Sequence, residues 1–595
     1  MNIASFRITI KLLLWVLLLA VATLWTYWGS LENGFVWDSI EYVINHFFWI
    51  SSLSTDNIIW MFLSLEVANW HPLTWISWAL DYEIFGGLTA WGFHLSSNIL
   101  HTVNSVLIFF LTLVLFGLNQ PATSGFPFRS DNNALIAAFL AALLFAIHPQ
   151  HVESVAWIAE RKDLLFMFFL LLSTFAYVRY VTGVDRAKNR WFNTTLLLYL
   201  LALLSKPMAV TFPVVLLLLD FYPLRRTQFT APGNHFIRQQ SIYKLVREKL
   251  PFFLLSIALI LITLFAQQEA LSSRPFHLKL LNAFNSIIFY LTQLSVPLNF
   301  SPLYPYFVEI DESITWKALV PLLAALGITV AALIAWAKGR HAWLVAWLFY
   351  LVTLSPVLGL IQVGQQGSAD RYAYLPTLPV YLFVGAGVLL ILNNATLRKK
   401  AILFLAILPV IFFLSDKTRQ QIQVWKSPQS LWAHAVKYNP ENVGARHNLG
   451  IAHLNQEEYE EAAFYFGENV NSRTKPVVSL AWRALSYLYL DRFEDALADY
   501  SKLSESTEPL TEVNLDPNCV YYNSAWAYAK SGMFIKSRDF FDKVNKDSKL
   551  GASAADWINW LESDDPEKGP PETNEDLPGF CTKLFRSRAE YYGEG

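Results

Sequence analysis

The chain has 595 residues, of which 54% are hydrophobic, 15% aromatic and 15% charged, with a mean hydropathy of +0.34 and a formal net charge of -2. That composition excludes an ordinary soluble protein and points to an integral membrane protein. No basic, aromatic-interleaved face marks a nucleic-acid binder, and two thiols, Cys519 and Cys581, make neither a disulfide framework nor a cysteine-based metal site.

Charges are sparse up to residue 415 and dense beyond it. The first apolar run, 8–29, follows Arg7 and contains Lys11; it is long enough to span a bilayer and has no small-residue cleavage site, so it reads as an anchor. Basic residues at its start predict a cytoplasmic N-terminus and place Asp38, in Asn33-Gly34-Phe35-Val36-Trp37-Asp38, on the outer side. Further spans are predicted at 92–116, 132–147, 164–182, 191–205, 207–222, 252–267, 317–337, 341–357, 372–393 and 400–415, about 11 transmembrane helices in all. With that count, the connectors carrying Arg179 to Arg190, Arg225 to Lys249, Lys338 with Arg340, and Arg398 to Lys400 all face the cytoplasm. Counting the apolar run 283–297 as a crossing would turn the last two clusters outward, so it is expected to be re-entrant or interfacial. The odd count places the C-terminal domain on the same side as Asp38.

The expected organisation is a membrane domain over 1–420 with outer loops at 30–91, 148–163, 268–316 and 358–371, a repeat domain over 421–560, and an acidic, Pro-rich tail over 561–595. Gly450, Ala484 and Ala525 recur at 34 residues (450 to 484) and then 41 (484 to 525), each followed three positions on by His453, Tyr487 or Tyr528. Ala462, Ala496 and Ser537 repeat the small residue, and Phe466, Tyr500 and Phe541 the aromatic behind it. Small residues where helices touch, at this period, resemble a tetratricopeptide-repeat α-solenoid, with 427–438 as a leading helix. The predicted fold class is therefore all-α: a polytopic helical bundle followed by a soluble solenoid.

Four outer-face clusters could carry chemistry. The first holds Asp38 and Glu41, followed by Trp70 and His71; a carboxylate here could act as general base if its surroundings raised its pKa, and the alternative is an interfacial loop anchored in headgroups. The second is His148-Pro149-Gln150-His151-Val152-Glu153, running on to Glu160-Arg161-Lys162-Asp163. Its imidazoles and carboxylate could hold a divalent metal, but Pro149 breaks the helix that would bring them together, so contacts to a sugar are favoured. Lys206 in the third cluster and Arg371 with Tyr372 in the fourth either snorkel to the interface or bind an anionic lipid headgroup, as could Arg161 and Lys162. His94, His101, Asn98 and Asn104, spaced along the second span, read as interhelical hydrogen-bonding residues.

Taken in order, Asn-Gly-Phe-Val-Trp-Asp, Trp70 to Trp75, His148 to Trp157 with Glu160 to Asp163, Ser205-Lys206-Pro207 and Asp370 to Pro376 resemble the bacterial relatives of the transmembrane and tetratricopeptide repeat (TMTC-like) O-mannosyltransferases, members of the C-type (GT-C) glycosyltransferase superfamily. The resemblance implies an inverting transferase that takes a sugar, mannose in that family, from a polyprenyl-phosphate carrier to protein Ser/Thr hydroxyls at the periplasmic face of the bacterial inner membrane. It implies Asp38 as catalytic base. Glu41, Trp70, His71, His148, His151 and Glu153 would orient sugar or acceptor, and Arg161, Lys162, Lys206, Arg371 and Tyr372 would bind the lipid phosphate. The repeats would recruit the protein acceptor; no cofactor is expected, a divalent metal being the less favoured alternative. The family pattern often has two adjacent acids where this chain has Asp38-Ser39. A membrane-anchored scaffold for envelope assembly and a transferase acting on glycolipid are the alternative readings.

Overall fold

In the computed structural model, residues 3–118, 127–183, 188–227, 237, 239–268, 275–307, 319–360, 366–394, 396–472, 477–504, 516–548 and 550–562 are described. The described residues form helices and connecting turns with no β-strand, beyond two isolated bridges. The chain divides into two units, Met1–Lys426 and Ser427–Gly595. The division falls after residue 420 because the last helix of the first unit runs unbroken from Leu397 to Val424.

In the first unit, four described helices are long and apolar enough to cross a membrane, and two bent pairs bring the number to six. Three more apolar helices, Pro207–Phe221, His341–Val357 and Leu378–Asn394, are shorter than a span. Their shortness has local causes. The run expected to cross at 372–393 starts with a single tight turn, Asp370–Ala373, and becomes α-helical only at Leu378. The run at 207–222 likewise opens on a tight turn, Pro207–Thr211, in front of the helix Phe212–Phe221. Residues 283–295 of the run expected to be re-entrant or interfacial belong to one continuous helix, Phe276–Ser295, and its buried Ala283, Ile287 and Tyr290 pack with Ala325, Tyr350 and Leu354.

Polar groups join the bundle internally, as hydrogen bonds must where water is excluded. Asn98 donates to Ser30 Oγ at 3.0 Å, Asn104 to the Leu164 carbonyl at 2.9 Å, and His101 bridges Tyr374 Oη at 2.7 Å and the Ala146 carbonyl at 2.9 Å.

The second unit is a series of helices that pack on their neighbours in chain order, from Pro428–Tyr438 through Gly551–Leu561. Ser427 caps the first of them in a reciprocal box with Ser430. Ala462, Phe466, Ala484, Ala496, Tyr500, Ala525, Ser537 and Phe541 are buried while Tyr487 and Tyr528 are half-buried, and a Cβ on Gly450 would lie 2.8 Å from the Phe466 ring, which is why that crossing takes glycine. Cys519 is disulfide-bonded. The acidic tail and Cys581 lie outside the described residues.

Candidate active site

The segment after the first helix, Ile3–Tyr27, is pinned at several points. Asn33 Nδ2 donates to the Ile422 carbonyl at 3.2 Å and the Gly34 N–H to the Lys426 carbonyl at 2.9 Å. Trp37 adopts left-handed backbone (φ 51°), which a bulky residue holds only when its surroundings impose it. They do: its indole stacks on Trp157 at 4.6 Å, Trp157 stacks on Trp425 at 5.3 Å, and Trp157 Nε1 donates to the Val36 carbonyl at 3.2 Å. On the other side of Asp38, the buried Ser39 hydroxyl accepts the Ala159 N–H at 3.2 Å.

Asp38 is thus fixed between two anchored neighbours while its own carboxylate stays open. Among the described residues, no hydrogen bond or ion pair closes on it. The residue is half-buried, and its pKa is raised above the usual aspartate value, first by burial and further by Glu160 and Glu41, against the pull of Lys162 and Arg371.

Facing it is a cluster of buried ions drawn from three chain segments. Glu160 is the hub: its Oε1 takes Lys162 Nζ at 3.2 Å and Arg371 Nε at 3.4 Å, and its Oε2 takes Lys206 Nζ at 2.9 Å. Lys206 also bonds Asp163 at 2.6 Å, and Ser154 donates to the other Asp163 oxygen at 3.1 Å. Arg371 pairs with Glu153 through its guanidinium and donates its backbone N–H to the same carboxylate at 3.0 Å. The guanidinium also lies over Trp157 at 5.3 Å and over Tyr372 at 4.8 Å, so the tryptophan stack beside Asp38 and the ion cluster share a wall. Lys162 lies over the Tyr42 ring at 5.2 Å.

Of the residues picked from sequence, Asp38, Glu153, Lys162, Lys206, Arg371 and Tyr372 come together. Arg161 does not join them. It is 1% exposed, ion-paired to Asp81, hydrogen-bonded to the Phe93 carbonyl and to Ser97 Oγ, and so serves the helix packing. Both ring nitrogens of His148 are used within the protein, one by the Leu294 carbonyl at 3.0 Å and one by the Gln150 N–H at 3.2 Å. His151 bonds Tyr381 Oη at 3.1 Å inside the bundle. Trp70 Nε1 is held by the Phe62 carbonyl at 2.8 Å, and Glu41 by Asn45 at 2.6 Å. His71 is buried among Tyr42, Trp75 and Trp78, and its pKa is driven well below the ordinary value by burial and by Lys162, so it is neutral. Among the described residues, no three His, Cys, Asp or Glu side chains converge as metal ligands.

Sequence reasoning named Glu160 and Asp163 only as parts of a motif and missed Trp157 and Trp425 as supports for Asp38. The one local signal was an acid directly before Arg161-Lys162.

The bundle also holds an apolar cavity of about 230 Å³. Each cation-bearing segment runs into its wall four or five residues further on: Lys162 to Met167, Lys206 to Thr211 and Arg371 to Leu375. Charged groups and a greasy cavity on the same three segments suit an amphiphile with an anionic head and a hydrocarbon tail.

Protein O-mannosyl-transferase TMTC4 of Homo sapiens is 31% identical over 201 residues, covering 31% of this chain and 26% of that protein. Tmtc2 of Drosophila melanogaster is 31% identical over 206 residues, 33% of this chain and 20% of that protein. The chain resembles protein O-mannosyl-transferases. The similarity extends over 81% of this chain with TMTC3 of Mus musculus, at 24% identity and 54% of that protein's length. The chain therefore spans about a quarter of the first two of these relatives and about half of the third. No family model matches. Among solved structures, an Archaeoglobus fulgidus oligosaccharyltransferase tethered to an acceptor peptide aligns with a TM-score of 0.38 and 14% identity, over 76% of this chain and 58% of that one.

Proposed function

We propose that this multi-pass membrane protein is a glycosyltransferase that moves a sugar, mannose on the strength of its relatives, from a polyprenyl-phosphate carrier to protein Ser/Thr hydroxyls. The observation that carries the reading is the open Asp38 carboxylate beside Lys162, Lys206 and Arg371, on three segments that run on into the wall of an apolar cavity. The reaction is a single displacement with inversion. Asp38 accepts the proton of the acceptor hydroxyl as its oxygen bonds to the anomeric carbon, and the bond from that carbon to the phosphate oxygen breaks. The phosphate leaves with the electron pair and its charge is met by the three cations, preorganised donors at the site of developing charge. The prenyl tail lies in the apolar cavity.

The orientation that fits the positive-inside pattern puts Asp38 and the helical repeats on the periplasmic side of a bacterial inner membrane. A disulfide-bonded Cys519 supports an oxidising compartment for that unit. The repeats bind the protein acceptor.

One observation favours the scaffold alternative: Lys162, Lys206 and Arg371 already have buried carboxylate partners, as a purely structural ion cluster would. Turnover decides. In lipid nanodiscs, the wild-type chain should release labelled mannose from polyprenyl-phosphate mannose to membrane proteins, and Asp38→Asn should lower the rate at least 10²-fold, the order expected of a general base. Equal rates for both proteins, or none with any carrier sugar, would sink the assignment.

A further inference from the structure

The three cations assigned to the donor phosphate are matched one for one by Glu153, Glu160 and Asp163, all 3% exposed or less. An arriving phosphate therefore meets cations that each already have a carboxylate partner. Among the three acids, Glu160 alone touches all three cations, and it does so with both oxygens, much as a bound phosphate would.

Resting on the donor reading above, we propose that Glu160 is a built-in competitor for the phosphate, a positioning residue that gathers Lys162, Lys206 and Arg371 and weakens their hold on the leaving group. The chemistry requires such a device. The donor is a phosphodiester with one negative charge, whereas the product monoester carries close to two at neutral pH. With Glu153 and Asp163 as their only partners, the three cations would favour the more highly charged product over the donor and slow its release. A carboxylate that shares the same three cations offsets that preference. It also keeps the cations from splaying apart while the site is empty, since each comes from a different segment: the start of the helix Arg161–Thr182, the turn after Ser205, and the turn Asp370–Ala373.

The test measures binding of polyprenyl phosphate, with polyprenol as the tail-only control, to the full chain in nanodiscs, alongside single-turnover and steady-state transfer. Glu160→Gln keeps the side chain's shape and removes its charge. Its expected result is roughly tenfold tighter polyprenyl phosphate, the size of one charge-assisted contact no longer shared, with kcat reduced and the single-turnover rate kept. A structural role alone predicts the opposite, weaker binding and loss of both rates, and that outcome overturns the proposal. If Glu160→Gln does not fold, the wild-type chain still decides: monoester and diester should bind within about threefold of each other, and a monoester bound far more tightly overturns the proposal. Wild-type protein that binds polyprenyl phosphate no better than polyprenol removes the donor reading itself, a failure distinct from a variant that binds the wrong way.

Discussion

The Ser39 hydroxyl accepts the Ala159 N–H at 3.2 Å, across from the carboxylate of its neighbour Asp38. The position next to Asp38 is thus occupied by a buried acceptor that ties the Asp38 segment to the Trp157–Glu160 turn, and a serine performs that task. Ser39→Ala should therefore cost about 1 kcal/mol of stability, with a several-fold fall in kcat, while Asp38→Asn abolishes transfer with little change in the melting temperature. The two variants compared by thermal unfolding and by initial rate separate the roles; equal catalytic loss would mean that Ser39 takes part in the chemistry.

The pH dependence has a definite sign. A base must be deprotonated, so kcat/KM should rise with pH through the pKa of Asp38, which burial holds above the usual aspartate range. Lys162 lowers that pKa, and Lys162→Gln should move the acid limb of the profile to higher pH. An unmoved limb in Lys162→Gln would detach it from Asp38.

Much of this arrangement is legible in the sequence because it is local. The ordered motifs announce Asp38, Glu153, Lys162, Lys206 and Arg371, and the 34-residue period announces which positions in the second unit are buried. What is not legible is direction. Successive helical residues point about 100° apart, so Glu160, Arg161, Lys162 and Asp163 cannot all face one site. Arg161 turns to Asp81 and Phe93, and no spacing rule says that it, rather than Lys162, is the one withdrawn. Trp425 is invisible for another reason: its partner Trp157 is distant in sequence, and only the packed bundle brings them together.

Arg161 and Asp81 make a testable contrast with the cations of the site. Breaking a buried pair by removing one partner leaves a charge uncompensated, at a cost of about 3–5 kcal/mol. Arg161→Gln should lower the melting temperature sharply, yet the fraction that remains folded should keep the wild-type KM for donor, whereas Lys206→Gln should raise that KM. A raised KM in folded Arg161→Gln would return Arg161 to the phosphate site.

The tryptophan stack should matter for rate rather than binding. Trp425 is 1% exposed and supports Trp157, which supports the strained Trp37 next to Asp38. Trp425→Phe keeps an aromatic ring but loosens the stack, so kcat should fall several-fold at unchanged donor KM, since misplacing a catalytic group by a fraction of an ångström is felt in the transition state more than in the ground state. A change confined to KM would show that the stack shapes the donor site instead.

The apolar cavity gives the most selective prediction, because its occupant has a length. Ala346 lines the cavity, whose walls carry no Lys, Arg, Asp or Glu among the described residues, so Ala346→Trp takes up space there without replacing a charged group. If the prenyl tail lies there, the variant should raise KM for a long-chain polyprenyl-phosphate sugar and leave KM for a donor with a short tail unchanged, since the short tail does not reach the blocked part. The loss for the long chain follows from the apolar area that can no longer be buried, about 25 cal/mol per Å² or about 0.8 kcal/mol per methylene, so keeping even two methylene groups out of the cavity amounts to about a tenfold change. An equal rise for both donors would indicate a distorted bundle, and no rise for either would place the tail elsewhere on the protein.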